Sequence, residues 1–479
     1  MQQFISFFAR RTALVLVLAA LVATGCAHQH SPRALDAYIA KPESVYNYKL
    51  VRSTPVPGGT AYVIEMTSQQ WRTPEEVDKP VWKHWLLVVK PDVVKHDTAL
   101  LFIGGGSNKS KAPEKLDDDI AGIAMATNSV VVELRMIPNQ PLIFANDGRE
   151  RSEDEIISYG WDKYLRGGDE EWIVRFAMTK GAVKAMDTVQ SFLATKDGGE
   201  VNIDKFVVAG GSKRGLTTWT TGAVDGRVVA IVPFVIDLLN TGKSFEHHYK
   251  VYGFWAPAIN DYVELRLMDW FGTSRHHKLM GFEDPYQYRD RYENKPKYIV
   301  NAAGDQFFIP DSWQFYYHDL PGEKHLRYVP NADHGLGGTD AGQGLMAFYA
   351  SVLSGSQRPR YCWDVAKDGS IWLDSLDKPI AVNVWQATNP NARDFRLETI
   401  GKAWTSTPLA PNADGLYVAK VDKPAKGFTA FFIEMKYDSG FGVPYTFTTG
   451  VKVLPDVYPH AAYKPDRSII HNPPAAAGK

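Results

Sequence analysis

The sequence predicts an α/β fold: a mostly parallel sheet with helices on both faces, a helical cap inserted into it, and a β-sandwich after it. Three observations carry that expectation. Near-continuous apolar strands alternate with long helical stretches, the pattern of a sheet covered on both sides. A ring-rich insertion separates two of those strands. Past residue 356 the helical stretches stop, and short strands follow one another between Gly, Pro, Asn and Asp turns.

The first segment reads as an address. "MQQFISFFARR" places two arginines ahead of the apolar run "ALVLVLAALVA", which ends in "TGC". Residues 1–26 therefore read as a signal peptide, and the "ATGC" stop resembles a bacterial lipobox that would leave Cys26 lipidated. That places the chain in the bacterial cell envelope, and Ala27 after the cysteine resembles lipoproteins passed to the outer membrane. The alternative is a plain cleavable signal with Cys26 as a bystander. Cys362 is the only other cysteine, so an acylated Cys26 leaves no intrachain disulfide. Residues 27–45 read as a loose tether.

The main domain is expected over residues 46–356. "TAYVIEMT" (60–67) and "HWLLVVK" (84–90) look like an antiparallel edge pair. Core strands follow in "TALLFIGGG" (98–106), "NSVVVEL" (128–134), "DKFVVAGG" (204–211), "RVVAIVPFV" (227–235), "PKYIVNAAG" (296–304) and "HLRYVP" (325–330). Helical spacing marks 169–195, the run after residue 212, and 339–355. Residues 238–295, rich in rings, form the cap; 357–458 form the sandwich; 459–479, ending "HNPPAAAGK", read as disordered. A formal net charge of −1 over 479 residues argues against nucleic acid as a partner, since phosphate binding needs a concentrated basic field.

The chemistry gathers at strand ends. In "FVVAGGSKRGLTTW" Ser212 sits where a strand turns into a helix. A serine hydroxyl needs a histidine to take its proton and a carboxylate to hold the imidazole. "YIVNAAGDQFF" puts Asp305 after a core strand, and "RYVPNADHGL" puts His334 after the next. The order Ser, Asp, His on such a sheet is that of an α/β-hydrolase. Asp284 and Asp311 are rival acids, the first in the cap and the second opening "PDSW" as an N-cap. The usual elbow carries a small residue two positions after the serine, but here that residue is Arg214 and the glycine is Gly215.

"GGSKRGLTTW", "AGDQFFIPDSW", "MIPNQPL" and "AMTKGAVKAMDTVQ" resemble the PhoPQ-activated pathogenicity-related proteins, over roughly residues 40 to 455. That resemblance implies an exported α/β-hydrolase-fold protein with Ser212, Asp305 and His334 as its functional residues, and leaves the substrate open. A narrower resemblance to glucuronoyl esterases rests on the G-x-S-x-x-G elbow and the basic Lys213 after the serine.

The remaining site residues follow from position. The amide of Lys213 and those of Gly105 and Gly106 in "GGGSN" are the expected oxyanion donors, each worth ~3 kcal/mol of barrier. Asn139 and Gln140 are potential substrate contacts, with a structural Pro-rich loop as the other reading. The histidines of "EHHYK" and "RHHK" lack carboxylates at zinc-site spacing, so neither a metal nor any other cofactor is expected. The expected function is an exported, lipid-anchored serine hydrolase, a carboxylic ester hydrolase first, acting on a small-molecule or peptide acyl substrate. The alternatives are a prolyl-oligopeptidase-like peptidase and a non-catalytic binding or signalling protein, linked to virulence or envelope stress, on the same fold.

Overall fold

A computed structural model of the chain describes residues 33–115 and 118–471. The signal peptide, Cys26 and residues 472–479 lie outside the described residues. Among the described residues, no helix is long and apolar enough to cross a membrane.

The strands, in chain order, begin with β1 (Asn47–Val56), β2 (Gly59–Gln70), β3 (Val81–Pro91), β4 (Thr98–Ile103) and β5 (Val131–Leu134). A short hairpin, β6 (Leu142–Ile143) and β7 (Glu150–Arg151), stands apart. Then come β8 (Lys205–Gly211), β9 (Val228–Phe234), β10 (Lys297–Ala302) and β11 (Lys324–Val329). The parallel heart runs β5–β4–β8–β9–β10–β11. Its strands bury nearly every residue, as a sheet covered on both faces requires, and β4 and β9 are apolar almost throughout. Outside β5, the strands β3, β2 and β1 continue the sheet antiparallel, which matches and lengthens the expected edge pair.

Helices Val174–Leu193 and Lys213–Val224 pack against each other, and Asp118–Thr127 meets Ala341–Ser354, so the sheet carries two helical groups. Between β9 and β10 lies the cap, with helices Thr241–Tyr252, Asn260–Glu264 and Ser274–Glu283.

The expected separate sandwich is corrected. After β12 (Tyr361–Val365) and β13 (Ile371–Ser375), the strands β14 (Ala381–Asn389), β15 (Thr405–Pro408), β17 (Phe428–Tyr437), β18 (Tyr445–Thr448) and β19 (Lys452–Leu454) continue the central sheet. β18 pairs with β11 at Leu326↔Thr448, and the Tyr328 amide donates to Thr448 Oγ1 at 2.9 Å. An open β11 would present a row of unpaired backbone groups, and β18, buried along its whole length, covers it. β12, β13 and β16 (Tyr417–Ala419) form a small sheet packed on this extension, with Ser375 Oγ hydrogen-bonded to Tyr437 Oη at 2.7 Å. Two sheets do face each other, but the larger one is the central sheet itself.

Two further expectations change. The tether is ordered from its helix Ala34–Ala40 onward: Leu35 is buried, and Tyr38 Oη donates to Gln69 at 2.8 Å. The tail is ordered to residue 471 where polar anchors tie it to the cap, Tyr463 Oη donating to Asp269 at 2.7 Å and Arg467 donating to the Asp269 carbonyl at 2.6 Å.

Candidate active site

Ser212 leaves β8 at φ 58°, ψ −126°, a region that an L side chain enters at a cost of about 1–3 kcal/mol. Close packing explains why the chain bends here. A Cβ on Gly215 would lie 2.8 Å from Ile236 Cγ2 and 2.9 Å from the Phe234 carbonyl, and one on Gly210 would lie 2.9 Å from the Arg214 carbonyl. The helix therefore meets the sheet at Gly210 and Gly215. Gly211 has only ordinary contacts, the nearest at 3.8 Å. Arg214, the departure from the usual elbow, points elsewhere: Nε donates to the Ile137 carbonyl and Nη2 to Glu153, both at 2.6 Å. G-x-S-x-x-G thus moves the demand for a small residue from the second position after the serine to the third.

Asp305 and His334 follow the adjacent parallel strands β10 and β11. His334 Nδ1 and Asp305 Oδ2 are 2.8 Å apart, and Asp305 Oδ1 accepts from the Phe307 and Phe308 amides at 2.8 and 3.3 Å. The loop thus clamps one carboxylate oxygen and aims the other at the imidazole. The Phe307 ring lies 4.4 Å from the imidazole, centroid to centroid. Among the described residues, the Ser212 hydroxyl has no hydrogen bond to His334; such bonds are often long before substrate binds. Both rival acids are occupied. Asp284 accepts from the amides of Asn240, Thr241 and Tyr286, and burial pushes its carboxyl up to about 6. Asp311 makes no side-chain cap; it holds His247 at 2.8 Å and Arg393 at 2.6 Å.

The loop after β4 reaches the same sheet edge, because Ile103 pairs with Gly210. Gly104 N donates to the Leu134 carbonyl at 2.7 Å and Met136 N to the Gly105 carbonyl at 2.8 Å. The Gly105 and Gly106 amides have no partner among the described residues. Gly106 has φ +132°, and a Cβ on Gly105 would lie 2.7 Å from the pinned Arg214 guanidinium.

Asn139 and Gln140 do not reach into the site. Both are buried, Asn139 donating to the Lys83 carbonyl at 2.6 Å and Gln140 to the Gly106 carbonyl at 3.0 Å. Gln140 also brackets Glu153, accepting from its amide at 2.7 Å. Gln140 braces the Gly-rich loop and Asn139 ties its own loop to β3, which is why polar residues sit in that Pro-rich stretch. The Lys213 ammonium lies 2.9 Å from Glu153 and 3.0 Å from Asp154. Burial raises the Glu153 carboxyl, but Arg214 and Lys213 outweigh it and hold the group down at about 2. The Lys213 charge is thus spent on carboxylates.

A narrow cavity of about 40 Å³ opens beside Ser212. Leu238, Thr241, Phe245 and Ile259 of the cap line it, with Phe307 and Phe308 from the acid loop. Sequence reading missed its polar members Trp161, Arg175, Tyr262 and Glu283. Phe307 and Phe308 carried a signal, following Asp305 directly in "GDQFF"; Arg175, inside an amphipathic helix, carried none. The cap histidines serve packing: His247 holds Asp311, and His248 accepts from the Ala256 amide at 3.1 Å.

In chain order, the eight strands of the row β2–β3–β5–β4–β8–β9–β10–β11 put the serine after the fifth, the acid after the seventh and the histidine after the eighth. This is the α/β-hydrolase fold. The chain belongs to the PhoPQ-activated pathogenicity-related protein family, whose model matches residues 35–396. It is 37% identical over 475 residues to autocrine proliferation repressor protein A of Dictyostelium discoideum, covering 93% of this chain and 94% of that one. Among solved structures it is similar to an acetyl xylan esterase from Thermoanaerobacterium sp., with TM-score 0.44 and 17% identity over 66% of this chain and 93% of that one. It is also similar to a glucuronoyl esterase from Solibacter usitatus, with TM-score 0.37 and 15% identity over 67% of this chain and 88% of that one.

Proposed function

We propose that this chain is a serine hydrolase that cleaves carboxylic esters through an acyl-enzyme on Ser212. The observation that carries the reading is the Asp305–His334 pair at 2.8 Å, on strand ends beside a serine held in a strained elbow. In this mechanism His334 Nε2 takes the Ser212 proton as Oγ attacks the ester carbonyl, while Asp305 keeps Nδ1 protonated and stabilises the imidazolium. The amides of Lys213 and of Gly105 or Gly106 receive the oxyanion. The intermediate collapses as His334 returns the proton to the leaving alkoxide, and water repeats the sequence to release the acid. A cavity of about 40 Å³ suits a short acyl or alcohol group better than a peptide, which favours esters over the peptidase alternative.

Export and lipid anchoring at Cys26 in the bacterial envelope belong to the same proposal; Cys26→Ser should release the protein from membranes. A second reading draws on the name of the Dictyostelium relative, a proliferation repressor: the fold would then serve signalling without turnover. A panel of short-chain esters and aminoacyl amides separates the readings. Ser212→Ala and His334→Ala should each abolish ester turnover, with the double variant little worse than either, because the pair acts as a unit. Full activity in Ser212→Ala overturns the proposal.

A further inference from the structure

Arg214 stands two positions after Ser212, where the usual elbow has a small residue, and its guanidinium meets three other segments. Nε donates to the Ile137 carbonyl, in the loop after β5, and Nη2 donates to Glu153 Oε1. The third segment is the loop after β4. The three atoms nearest a Cβ built on Gly105 all belong to Arg214, Nη2 at 2.7 Å, Cζ at 3.0 Å and Nη1 at 3.5 Å. Glu153 is held in turn: Gln140 donates to its Oε1 at 2.5 Å and accepts from its amide at 2.7 Å, while Lys213 pairs with Oε2 at 2.9 Å. The Glu153 backbone, at φ 55° and ψ −125°, takes the same rare conformation as Ser212, at 58° and −126°. An L side chain keeps such a conformation only where its surroundings over-determine it, and such residues cluster at functional sites.

The same segments aim the Gly-rich amides. Ile137 N donates to the Gly104 carbonyl at 3.2 Å, and Met136 N to the Gly105 carbonyl at 2.8 Å. Across a planar trans peptide the carbonyl and the next N–H point opposite ways. These bonds therefore turn the Gly105 and Gly106 N–H groups away from the Met136–Ile137 backbone. Arg214 thus ties the helix that opens with Lys213 to the loops that orient the other two amides.

We propose that Arg214, braced by Glu153, is a positioning residue for the oxyanion hole, fixing the distance between the Lys213 amide and the Gly105 or Gly106 amide. This rests on the reading of Ser212 as the nucleophile. Donors on separate elements act together only when held within about 0.5 Å of the productive geometry. A guanidinium suits the task because its planar fork donates in fixed directions, whereas an ammonium on a flexible stem does not. Arg214 acts through the amides without touching the oxyanion, because its Nε and Nη2 are committed to Ile137 and Glu153.

Arg214→Met, Gly105→Ala and the double variant, made in the full chain, are compared on p-nitrophenyl acetate and with 1,1,1-trifluoro-2-butanone. Ser212 Oγ adds to the ketone carbonyl, its proton passes to His334, and the resulting alkoxide occupies the oxyanion hole. The inhibition constant therefore reads the donors. Arg214→Met should lower kcat/KM by about 10- to 10²-fold and raise that constant by a similar factor. A merely structural role would reduce the amount of active enzyme and leave the constant of the remainder unmoved. Gly105 lies outside the positive-φ region, so alanine there brings only its methyl, which meets the held guanidinium. Gly105→Ala should cost about 10-fold with Arg214 present and under about threefold in the Arg214→Met background. Arg214→Lys, which keeps a charge for Glu153 on a stem that yields to the methyl, replaces Arg214→Met with the same expected outcomes if that variant does not fold. An inhibition constant unmoved by either substitution of Arg214, or an equal cost of Gly105→Ala in both backgrounds, overturns the positioning role and leaves the nucleophile reading standing. A parent chain that neither turns over the ester nor binds the ketone overturns both.

Discussion

Gly215→Ala tests the elbow where the sequence departs from the usual pattern. The added Cβ would lie 2.8 Å from Ile236 Cγ2 and 2.9 Å from the Phe234 carbonyl, where apolar atoms prefer about 3.5–4.0 Å. The carbonyl belongs to β9 and cannot swing aside, so the helix Lys213–Val224 must retreat by several tenths of an ångström. Overpacking of this kind costs about 1–3 kcal/mol, and the better helix propensity of alanine returns about 1 kcal/mol. Function should suffer more than stability, because the retreat moves Ser212 and the Lys213 amide together. A misplacement of about 1 Å can cost about 10²-fold, so a shift of roughly half that should slow the reaction about 10-fold. Gly211→Ala is the control, since its nearest contact would be an ordinary 3.8 Å and its rate should stay within about threefold. The assay is the second-order rate of labelling by a fluorophosphonate, read beside the thermal midpoint. Parental labelling by Gly215→Ala, or a larger loss in Gly211→Ala, would refute the assignment of the crossing to Gly215.

Further predictions follow from the same contacts. Asp305→Asn should lower kcat/KM by about 10²–10⁴-fold through loss of the imidazole's orientation, whereas Asp284→Asn should cost stability and spare turnover. Lys213→Met should cost about 1–3 kcal/mol in denaturant melts, moderated because Glu153 keeps Arg214 and Asp154 keeps Tyr262; a 10²-fold rate loss at parental stability would instead give the ammonium a role at the oxyanion. Asp237 lies buried beneath the site, accepting from Tyr316 and Tyr328 at 2.8 and 2.5 Å, and burial pushes its carboxyl up to about 8. Between pH 4 and 8 the folded chain keeps a proton there that the unfolded chain has lost, so this group's contribution falls as pH rises, by up to about 1.4 kcal/mol per unit. His84 is held down at about 4 by burial and acts oppositely, its contribution being lost as pH falls from 6.5 toward 4. Stability of Asp237→Asn relative to the parent should therefore rise steadily with pH across that window, and a pH-independent difference would contradict the burial of a protonated acid.

The serine, acid and histidine were legible because each follows an apolar strand, and strand ends on one edge of a parallel sheet converge whatever lies between them. The origin of the G-x-S-x-x-G spacing was not legible, since it depends on Phe234, the last residue of β9, and Ile236 just beyond it rather than on local sequence. The C-terminal strands were found, but their partner was not: alternation shows that β18 is a strand, not that Thr448 pairs with Leu326. Asn139 and Gln140 misled because a polar pair at the right sheet edge looks the same whether it faces a ligand or braces a loop. Trp161, Arg175 and Glu283 were hidden for a plainer reason, lying far apart in the chain and meeting only once the cap closes over the helices.

Intact-protein and peptide mass spectrometry after fluorophosphonate treatment tests the central claim most directly. The account predicts one adduct, on Ser212, absent from Ser212→Ala and formed far more slowly in His334→Ala. A folded chain that acquires no adduct, or acquires it elsewhere with equal speed in Ser212→Ala, would contradict the assignment of Ser212 as nucleophile.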